Sequence, residues 1–368
     1  MGGNFMKYVL VINPGSTSTK LALFSTESLE IYNEVVEHDA SELKSFDRIV
    51  DQAPIRKEAI INALRIKGIK KEDLAAVAGR GGLLKPIKGG TYKVDSVMLK
   101  DLEDAIRGEH AANLGAILAK EVADDAGIEA YIVDPVACDE MNELARFTGL
   151  KDEERGSLAH YLNIKGVTRK ICRENGFDFN QDNFIVAHLG SGFSIGPLSK
   201  GRLIDVNNAN HGGPFSPERV GTLPNGVLLK YAFSGEYSMK SLSKLLQRNG
   251  GLISHLGTND ARIVEKRIGE GDEYAKKVYE AMAYQIAKEI GASAAVLKGE
   301  VKRIIITGGL AYSSMMTSMI REYVEFIAPI EVVPGEYEMK SLYEGVRRIL
   351  AKEEKALVYE EEVLSEKF

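Results

Sequence analysis

Short apolar blocks alternate along the chain with longer blocks of helical period. In the first third, KYVLVIN (7–13), KLALFS (20–25) and IYNEVVEH (31–38) predict three strands. LAAVAGRGGLLKP (74–86) predicts a short strand that breaks into a glycine-rich loop, and IEAYIVDP (128–135) predicts a strand that ends at its proline. Because these strands are separated by helical segments, the pattern predicts an α/β fold.

The longer blocks predict helices. EAIINALRIKG (58–68) has helical period, and residues 97–126 predict one helix whose apolar positions share a face. Residues 156–176 predict a helix that Gly176 ends. In the second half, 272–298 and 336–355 predict two more helices.

The second half begins with the same order of elements as the first. FIVAHLG (184–190) and FSIGPLS (193–199) predict two strands around the turn at 191–192, and RLIDVNN follows. RIIITGGLAYSS (303–314) predicts a strand, a glycine pair and a helix start. This order indicates a repeated unit. The residue-level similarity is weak, so two unrelated α/β segments remain an alternative.

A chain of 368 residues is longer than the usual single core, so we expect two domains. NQDN (180–183) is the expected junction. The expected N-terminal domain comprises residues 1–180. The expected C-terminal domain comprises residues 181–335, and we expect the segment 336–368 to pack back on the N-terminal domain.

Composition narrows the function classes. The net charge is −6 and acidic and basic residues are interspersed, so we expect no nucleic-acid partner. Apolar stretches are too short for a membrane span, and the N-terminus does not resemble a signal peptide. The only cysteines are Cys138 and Cys172, which is typical of a reducing compartment. We therefore expect a cytoplasmic protein with no membrane partner.

Three turns are rich in glycine and hydroxyl residues. They are NPGSTSTK (13–20), HLGSG (188–192) and TGG (307–309). Such turns offer backbone N–H groups and hydroxyls to phosphate oxygens. The first lacks Walker A spacing and continues as a strand. Any one of them is compatible with an ordinary hairpin, but the presence of three in one chain, two of them in matching positions, favours a phosphate-binding role.

The order of these turns resembles that of the acetate and sugar kinase, chaperone ATPase and actin superfamily. Within it, the chain resembles the acetokinase family, and most of all its butyrate kinase branch. The segments that carry the resemblance are INPGSTSTK, GRGGLLKPIKGGTY (79–92), HAANLGAILA (110–119), HLGSGFSIG, GRLIDVNNANHGGPFSPERVGTLP (201–224), TGGLAYS and PGEYEM (334–339). The resemblance implies two ribonuclease-H-like (actin-like ATPase) domains with an interdomain nucleotide cleft. It also implies that the domain 1–180 binds acyl substrate and phosphate and that the domain 181–335 binds nucleotide.

The resemblance also implies the reaction and its participants. The γ-phosphoryl group of ATP would pass reversibly to a short-chain carboxylate, most consistently butyrate, with Mg²⁺ as the cofactor of ATP and ADP. Acetate, propionate and isobutyrate remain alternative substrates, and an ATPase binding module of the same superfamily remains an alternative function. The resemblance implies a homo-oligomer as well.

Site residues follow from the resemblance, position by position. Arg80 would bind the carboxylate or the phosphoryl group, Asp134 would act in catalysis and hold the metal ion, His160 would steady the phosphoryl group, and Asn13 would orient the γ-phosphate. The expected nucleotide- and phosphate-binding residues are Gly15, Ser16, His188, Gly190, Ser191, Gly192, Gly308 and Gly309.

The sequence departs from acetate kinases at three positions. Ser191 replaces an asparagine, Tyr312 stands where a glutamate associated with the metal is expected, and Leu223 replaces a second active-site arginine. Arg219 or Arg155 could supply that missing charge. These departures favour the butyrate kinase branch.

No other residue pattern indicates a separate site. The remaining four histidines receive no catalytic role, no cysteine–histidine spacing resembles a zinc site, and no glycine-rich dinucleotide fingerprint follows a strand. The four histidines are His38, His110, His211 and His255.

Overall fold

The computed structural model describes residues 7–27 and 29–364. Residues 1–6 of the expected N-terminal domain and residues 365–368 of the expected C-terminal segment therefore lie outside the described residues. The chain forms two compact units. The first consists of the residues up to Asp139 together with those from Tyr337 on, and the second is Glu140–Glu336. This division differs from the expected junction at 180–183. Helix Tyr161–Asn175, expected in the first domain, lies instead against two strands of the second unit.

The elements follow one another in this order. The first unit begins with β1 (Tyr8–Pro14), β2 (Ser18–Ser25), β3 (Glu30–Glu37), α1 (Ala40–Leu43), α2 (Ala53–Ile66), β4 (Leu74–Gly79), β5 (Thr91–Lys93), α3 (Ser96–Glu103), α4 (Asn113–Ala126) and β6 (Glu129–Val133). The second unit contains α5 (Glu143–Arg146), α6 (Tyr161–Asn175), β7 (Asn183–Leu189), β8 (Phe193–Ser199), β9 (Arg202–Leu203), α7 (Asn225–Ala232), α8 (Met239–Arg248), α9 (Gly251–Leu256), α10 (Ala261–Gly269), α11 (Glu273–Val296), β10 (Arg303–Gly308), α12 (Ser314–Val324) and β11 (Ile330–Pro334). The chain then returns to the first unit as α13 (Glu338–Leu350) and α14 (Tyr359–Glu362).

The first unit is built on a mixed sheet with the strand order β3-β2-β1-β4-β6-β5. β1 and β2 form an antiparallel hairpin, whereas β1, β4 and β6 run parallel to one another. The register places Ile12, Gly79 and Ile132 side by side in one row across these three strands. The residues that follow this row therefore emerge together at the carboxyl edge of the sheet.

Helices cover the faces of this sheet. Helix α4 lies against β4 and β6, and its buried Leu114, Leu118 and Val122 join a core with the strand residues. Helix α13 packs on β1, β4 and β6, where Tyr343 stacks on Phe24 with 4.5 Å between the ring centroids. Burial of apolar side chains on both faces is the main stabilising contribution to such a unit.

The second unit repeats the strand order of the first. Its mixed sheet runs β9-β8-β7-β10-β11, with β7 and β8 antiparallel and β7, β10 and β11 parallel. This is the order β3-β2-β1-β4-β6 of the first sheet with each strand replaced by its counterpart. The α/β class is confirmed, and the shared topology supports the repeated unit over two unrelated segments.

The core of the second unit lies between this sheet and a layer of helices. Helix α11 contributes an apolar face that includes Met282, Ile286 and Ile290, all fully buried. It packs against β7 and β8 and against α12. Helices α7 and α8 have no fully buried residue among those described.

Two predicted helices have different bounds. The stretch 97–126 is two helices rather than one, because Ala105 and Gly108 adopt positive φ angles of 49° and 108° in the connection between α3 and α4. The other helix begins at Tyr161 instead of residue 156, and Gly176 ends it in the left-handed conformation as predicted. The spacing of apolar residues alone predicted neither the break between α3 and α4 nor the later start of α6.

Both cysteines are buried and free. Burial raises the pKa of the Cys172 thiol to about 11. In the part of the chain that the structure describes, no helix combines the length and the apolar character that crossing a membrane would require.

Candidate active site

Three of the predicted catalytic residues lie at the carboxyl edge of the first sheet. Asn13 and Arg80 directly follow the paired residues Ile12 and Gly79, and Asp134 comes two residues after Ile132 in the same row. The backbone N–H of Arg80 donates to the carbonyl of Ile12 at 3.0 Å, which extends the ladder by one bond. The carboxyl edge of parallel strands is where α/β proteins commonly bind ligands.

Glu338, the first residue of α13, joins two of them. Its Oε2 accepts from Asn13 Nδ2 at 2.9 Å and forms an ion pair with Arg80 Nη1, also at 2.9 Å. Arg80 Nη1 is 3.4 Å from Asn13 Oδ1. Glu338 is 5% exposed, and the Arg80 side chain is 31% exposed. The cluster thus holds one side of the guanidinium and leaves part of it accessible.

Glu338 was not predicted from the sequence. The segment PGEYEM contributed to the family resemblance, but neither of its glutamates received a role. Glu338 is 325 positions from Asn13, so no local spacing connects them. The signal that could have found it is an acidic residue opening an amphipathic helix inside a segment that carries the resemblance.

Asp134 is buried and has an unusual backbone conformation. Its φ is +39°, in the left-handed region, and its N–H donates to the carbonyl of Gly90 at 2.9 Å. Non-glycine residues in this region are uncommon, although aspartate is among those that tolerate it best. The turn after β6 therefore holds this carboxylate in a defined direction at the sheet edge.

The loop that carries Arg80 is packed tightly against α4. A Cβ atom on Gly79 would lie 2.1 Å from the carbonyl oxygen of Gly115, and one on Gly115 would lie 2.1 Å from the carbonyl oxygen of Arg80. Because the two backbones are in contact, no side chain fits at either position. His110 precedes the same helix, and its pKa is lowered mainly by desolvation and to a smaller extent by the charge of Arg80.

The β1–β2 turn carries Gly15 and Ser16 at the same edge. Gly15 donates to the carbonyl of Ser18 at 2.7 Å, which closes the turn. Ser16 is exposed, and Gly15 is half-buried. The turn is a hairpin, as its alternating pattern predicted, and its outer face is accessible.

In the second unit, His188 lies on β7 beside Thr307 on β10. Asn163, in the first turn of α6, reaches both: its Nδ2 is 2.8 Å from His188 Nδ1 and 3.2 Å from Thr307 Oγ1. All three residues are buried. An amide nitrogen can only donate a hydrogen bond. With Nδ2 of Asn163 assigned to the side that faces His188, Nδ1 of His188 is the acceptor and the ring proton is on Nε2.

His160 lies directly before α6 and stacks on His188. The ring centroids are 4.0 Å apart, and the planes are inclined by 16°. His160 Nδ1 is 2.9 Å from the hydroxyl of Ser194 on β8. The structure therefore places two of the predicted site residues beside Asn163, Thr307 and Ser194, three residues for which the sequence predicted no role.

The second phosphate turn, HLGSG, is supported by the segment that follows β9. The hydroxyl of Ser216 donates to the carbonyl of Ser191, and Gly190 donates to the carbonyl of Gly192 at 3.3 Å. The guanidinium of Arg219 lies so close to Gly192 that a Cβ there would be 2.4 Å from its central carbon. Burial lowers the pKa of Arg219. A cation thus lies directly against this turn.

The other candidate arginine is already engaged. Arg155 is 3.1 Å from Asp205 Oδ1 and donates to the carbonyl oxygens of Val206 and Ala145 at 2.9 Å and 2.8 Å. Within the described residues, by contrast, Arg219 makes no ion pair. Arg219 is therefore the better candidate for a charge directed at phosphate.

Gly308, the last residue of β10, and Gly309, which follows it, differ. A Cβ on Gly308 would lie 2.5 Å from the carbonyl oxygen of Leu189, so packing within the sheet already requires a glycine there. Gly309 has open space around its Cβ position and begins a short 3-10 helix through Tyr312. Tyr312 is exposed and lies near Gly335. Only Gly309 leaves room for a close ligand.

Among the described residues, no group of three or more His, Cys, Asp or Glu side chains is placed so that it could hold a metal ion. Asp134 and Glu338 are nevertheless two buried carboxylates at one edge of the first sheet. Magnesium is usually held by one or two carboxylates, substrate phosphates and waters, so this pair fits a nucleotide-bound ion better than a metal cage formed by protein alone.

Comparisons with known proteins agree on one family. Residues 159–338 match the acetokinase family. A probable butyrate kinase 2 from Caldanaerobacter subterraneus subsp. tengcongensis is 50% identical over 351 residues, which cover 95% of this chain and 99% of the relative. Butyrate kinase 2 of Clostridium acetobutylicum is 49% identical over 356 residues, covering 96% and 100%.

The fold agrees with a solved structure. The crystal structure of Porphyromonas gingivalis acetate kinase has a TM-score of 0.78 at 21% identity and covers 94% of this chain and 100% of that one. At this identity the likeness shows the shared actin-like ATPase fold. Together with the two full-length relatives, it leads to one conclusion: the chain belongs to the acetokinase family and is an ATP-dependent carboxylate kinase.

Proposed function

We propose that this protein transfers the γ-phosphoryl group of ATP reversibly to butyrate, giving butyryl phosphate and ADP. The observation that carries the proposal is that the two relatives about 50% identical over nearly the whole chain are both named as butyrate kinases. The cluster of Asn13, Arg80 and Glu338 supports a carboxylate substrate, because a partly exposed guanidinium can pair with a carboxylate through two parallel hydrogen bonds.

The acceptor needs no general base, since a short-chain carboxylate is ionised at neutral pH. The barrier comes from bringing this anion to a negatively charged phosphate. Arg80 offers positive charge, and its contact with Glu338 fixes the direction in which the guanidinium points. Donors oriented before the reaction stabilise charge that develops in the transition state most effectively.

Asp134 and Glu338 would hold the Mg²⁺ ion that accompanies ATP, which supplies charge neutralisation at the phosphates. The left-handed conformation of Asp134 supports this role, because it fixes the carboxylate at the edge where Arg80 emerges. Asn13 bonds to Glu338 through its amide nitrogen, and its amide oxygen is directed towards Arg80. In this cluster Asn13 therefore orients the charged groups.

In the second unit, the turn at Gly190, Ser191 and Gly192 would bind phosphate oxygens, with the guanidinium of Arg219 adding charge. His188 would donate from Nε2, since Asn163 occupies its Nδ1. His160, stacked on His188, would steady the phosphoryl group. The adenine ring or ribose would approach the backbone at Gly309, where the structure leaves room.

The test is a hydroxamate assay of kcat/KM over acetate, propionate, butyrate and isobutyrate with ATP and Mg²⁺. We expect butyrate to give the highest value. A single methylene in an apolar pocket is worth about 1–3 kcal/mol, so a difference of at least roughly tenfold from propionate is expected. A maximum at acetate, propionate or isobutyrate would contradict the butyrate assignment. ATP turnover that is indifferent to every carboxylate would contradict kinase activity.

Arg80→Ala and Arg80→Lys test the carboxylate-binding cluster itself. We expect the alanine variant to lose at least about a hundredfold in turnover while the fold persists. The lysine variant keeps the charge but loses the paired donors, so we expect a partial loss with a raised KM for butyrate. Arg155→Lys, at an arginine paired with Asp205, is the control and should keep wild-type kinetics.

A further inference from the structure

A fully buried arginine lies beneath the first phosphate turn. Arg56, on α2, is 0% exposed and belongs to none of the groups assigned above. Its Nη1 donates to the carbonyl oxygens of Gly15 and Ser18 at 3.0 Å and 3.1 Å, and its Nη2 donates to that of Ser16 at 3.0 Å. One guanidinium therefore binds three carbonyl groups of the β1–β2 turn.

The remaining partners of Arg56 are also neutral. Gln52 Oε1 accepts from Nε at 3.2 Å and from Nη2 at 3.0 Å, and Thr19 Oγ1 lies 3.3 Å from Nη1. Among the described residues no carboxylate forms an ion pair with Arg56. Buried charges in proteins are normally paired with an opposite charge. Burial lowers the pKa of Arg56, and Arg56 in turn contributes to the lowered pKa of His38.

These contacts determine which way the turn faces. In a planar trans peptide the C=O of one residue and the N–H of the next point in opposite directions. Because Arg56 holds the carbonyls of Gly15 and Ser16, the N–H groups of Ser16 and Thr17 point away from it. The carbonyl of Thr17 is held by the N–H of His38 at 3.0 Å.

The outward N–H groups have the surroundings of an anion site. Ser16 and Thr17 are exposed, and their N–H groups have no acceptor among the described residues. Successive backbone N–H groups on a turn form a concave site that binds anions. Beneath this face lies a positive charge that no carboxylate neutralises.

We propose that Arg56 is a positioning residue for phosphoryl transfer, which sets the β1–β2 turn with its N–H groups outward and supplies uncompensated positive charge to the phosphate bound there. The inference rests on the proposed function, because it takes the anion to be a phosphate of ATP. Arg56 does not touch that phosphate; it acts through the turn. The missing counter-charge is then the bound anion itself.

Gln52→Glu separates this role from a purely structural one. The substitution keeps both acceptor contacts to Arg56 and adds the missing carboxylate, while it loses the donation from Nε2 to the carbonyl of Leu43 at 3.2 Å. If Arg56 only supported the fold, a better partner would leave nucleotide binding unchanged. If its charge acts on phosphate, the new carboxylate must weaken that binding.

The measurement is calorimetric binding of a non-hydrolysable ATP analogue and of AMP to the full chain, together with kcat and KM for ATP. For Gln52→Glu we expect about tenfold weaker binding of the ATP analogue, equivalent to ~1.4 kcal/mol, and a similar rise in KM for ATP. Binding of AMP should change less than about twofold. Asn62→Asp is the matched control. It makes the same amide-to-carboxylate change within α2, whereas Gln52 directly precedes this helix. Asn62 Oδ1 accepts from Arg65 at 2.7 Å, and this variant should leave both affinities unchanged.

Arg56→Lys adds a second measurement, because it keeps the charge but cannot reach all three carbonyls. We expect weaker binding of the ATP analogue with unchanged binding of AMP. Wild-type affinity for the ATP analogue in Gln52→Glu would overturn the proposal, as would an equal loss of analogue and AMP binding in both variants. Failure of the proposed function is a separate result, since it would appear in the wild-type protein as missing carboxylate-dependent turnover.

Discussion

Glu338→Gln tests whether the cluster in the first unit serves catalysis or only stability. The substitution keeps the size and hydrogen-bonding shape of the side chain but removes its charge. In the native protein Oε2 of Glu338 accepts from Asn13 and pairs with Arg80, both at 2.9 Å, at a buried position. The variant therefore changes two charge-assisted contacts into weaker ones.

The expected cost in stability follows from these two contacts. Hydrogen bonds to charged groups contribute about 1.5–3 kcal/mol and neutral ones about 0.5–1.5 kcal/mol, so each contact loses about 1 kcal/mol. Arg80 is partly exposed, and water replaces part of its lost attraction. We expect the free energy of unfolding to fall by about 1–2 kcal/mol in total, which corresponds to a Tm lower by roughly 2–8 °C for a unit of this size.

The expected effect on turnover is much larger than this. Arg80 would no longer be fixed in direction, so kcat for butyrate should fall at least about a hundredfold, measured by the hydroxamate assay below the Tm of the variant. Glu344→Gln is the matched control on α13, because Glu344 forms an ion pair with Arg347 at 3.2 Å and is not a member of this cluster. A variant with the lowered Tm but a kcat within threefold of the wild type would refute the catalytic reasoning and leave the cluster a stability role alone.

Three further predictions concern other parts of the molecule. Asn163→Leu removes the donor to His188, so kcat should fall about tenfold or more and the ¹⁵N shifts of the His188 ring should report a changed tautomer; unchanged shifts would contradict the assignment. Arg219→Met should raise KM for ATP at least about tenfold and leave KM for butyrate unchanged, and a change confined to butyrate would contradict its placement at the phosphate turn. Burial and the charge of Arg56 lower the pKa of His38 in the folded protein. The contribution of neutral His38 to stability is therefore complete above about pH 6.5 and is lost as the pH falls through the folded-state pKa. The Tm of His38→Gln should fall less steeply than that of the wild type between pH 7 and 5.5, and an equal slope would contradict this.

The sequence predicted the sheets better than the helices. The strands and the three small-residue turns stand out because buried strands give continuous apolar runs and turns need glycine and hydroxyl residues. The break between α3 and α4 did not stand out, because the apolar period continues across Ala105 and Gly108, which end one helix through their backbone angles. Such angles depend on tertiary packing as well as on local sequence.

The partners of the candidate site residues could not be predicted. Asn13, Arg80, His160 and His188 were predicted from the family resemblance, whereas Glu338 contacts Asn13 across 325 positions of the sequence and Arg56 contacts Gly15 across 41. Neither separation in sequence produces a periodic pattern from which the contact could be predicted. What the sequence shows is the residue type at a turn, whereas the direction of that residue is set by groups that only the folded chain brings close.

The contact between Gly79 and Gly115 restricts how this family can change its substrate. A methyl group at either position would displace α4 or the peptide that presents Arg80, so any homologue that docks this helix in the same way must keep both glycines. Selection for a longer or shorter acid would then act on the side chains that surround Arg80, while the backbone that carries it stays constant.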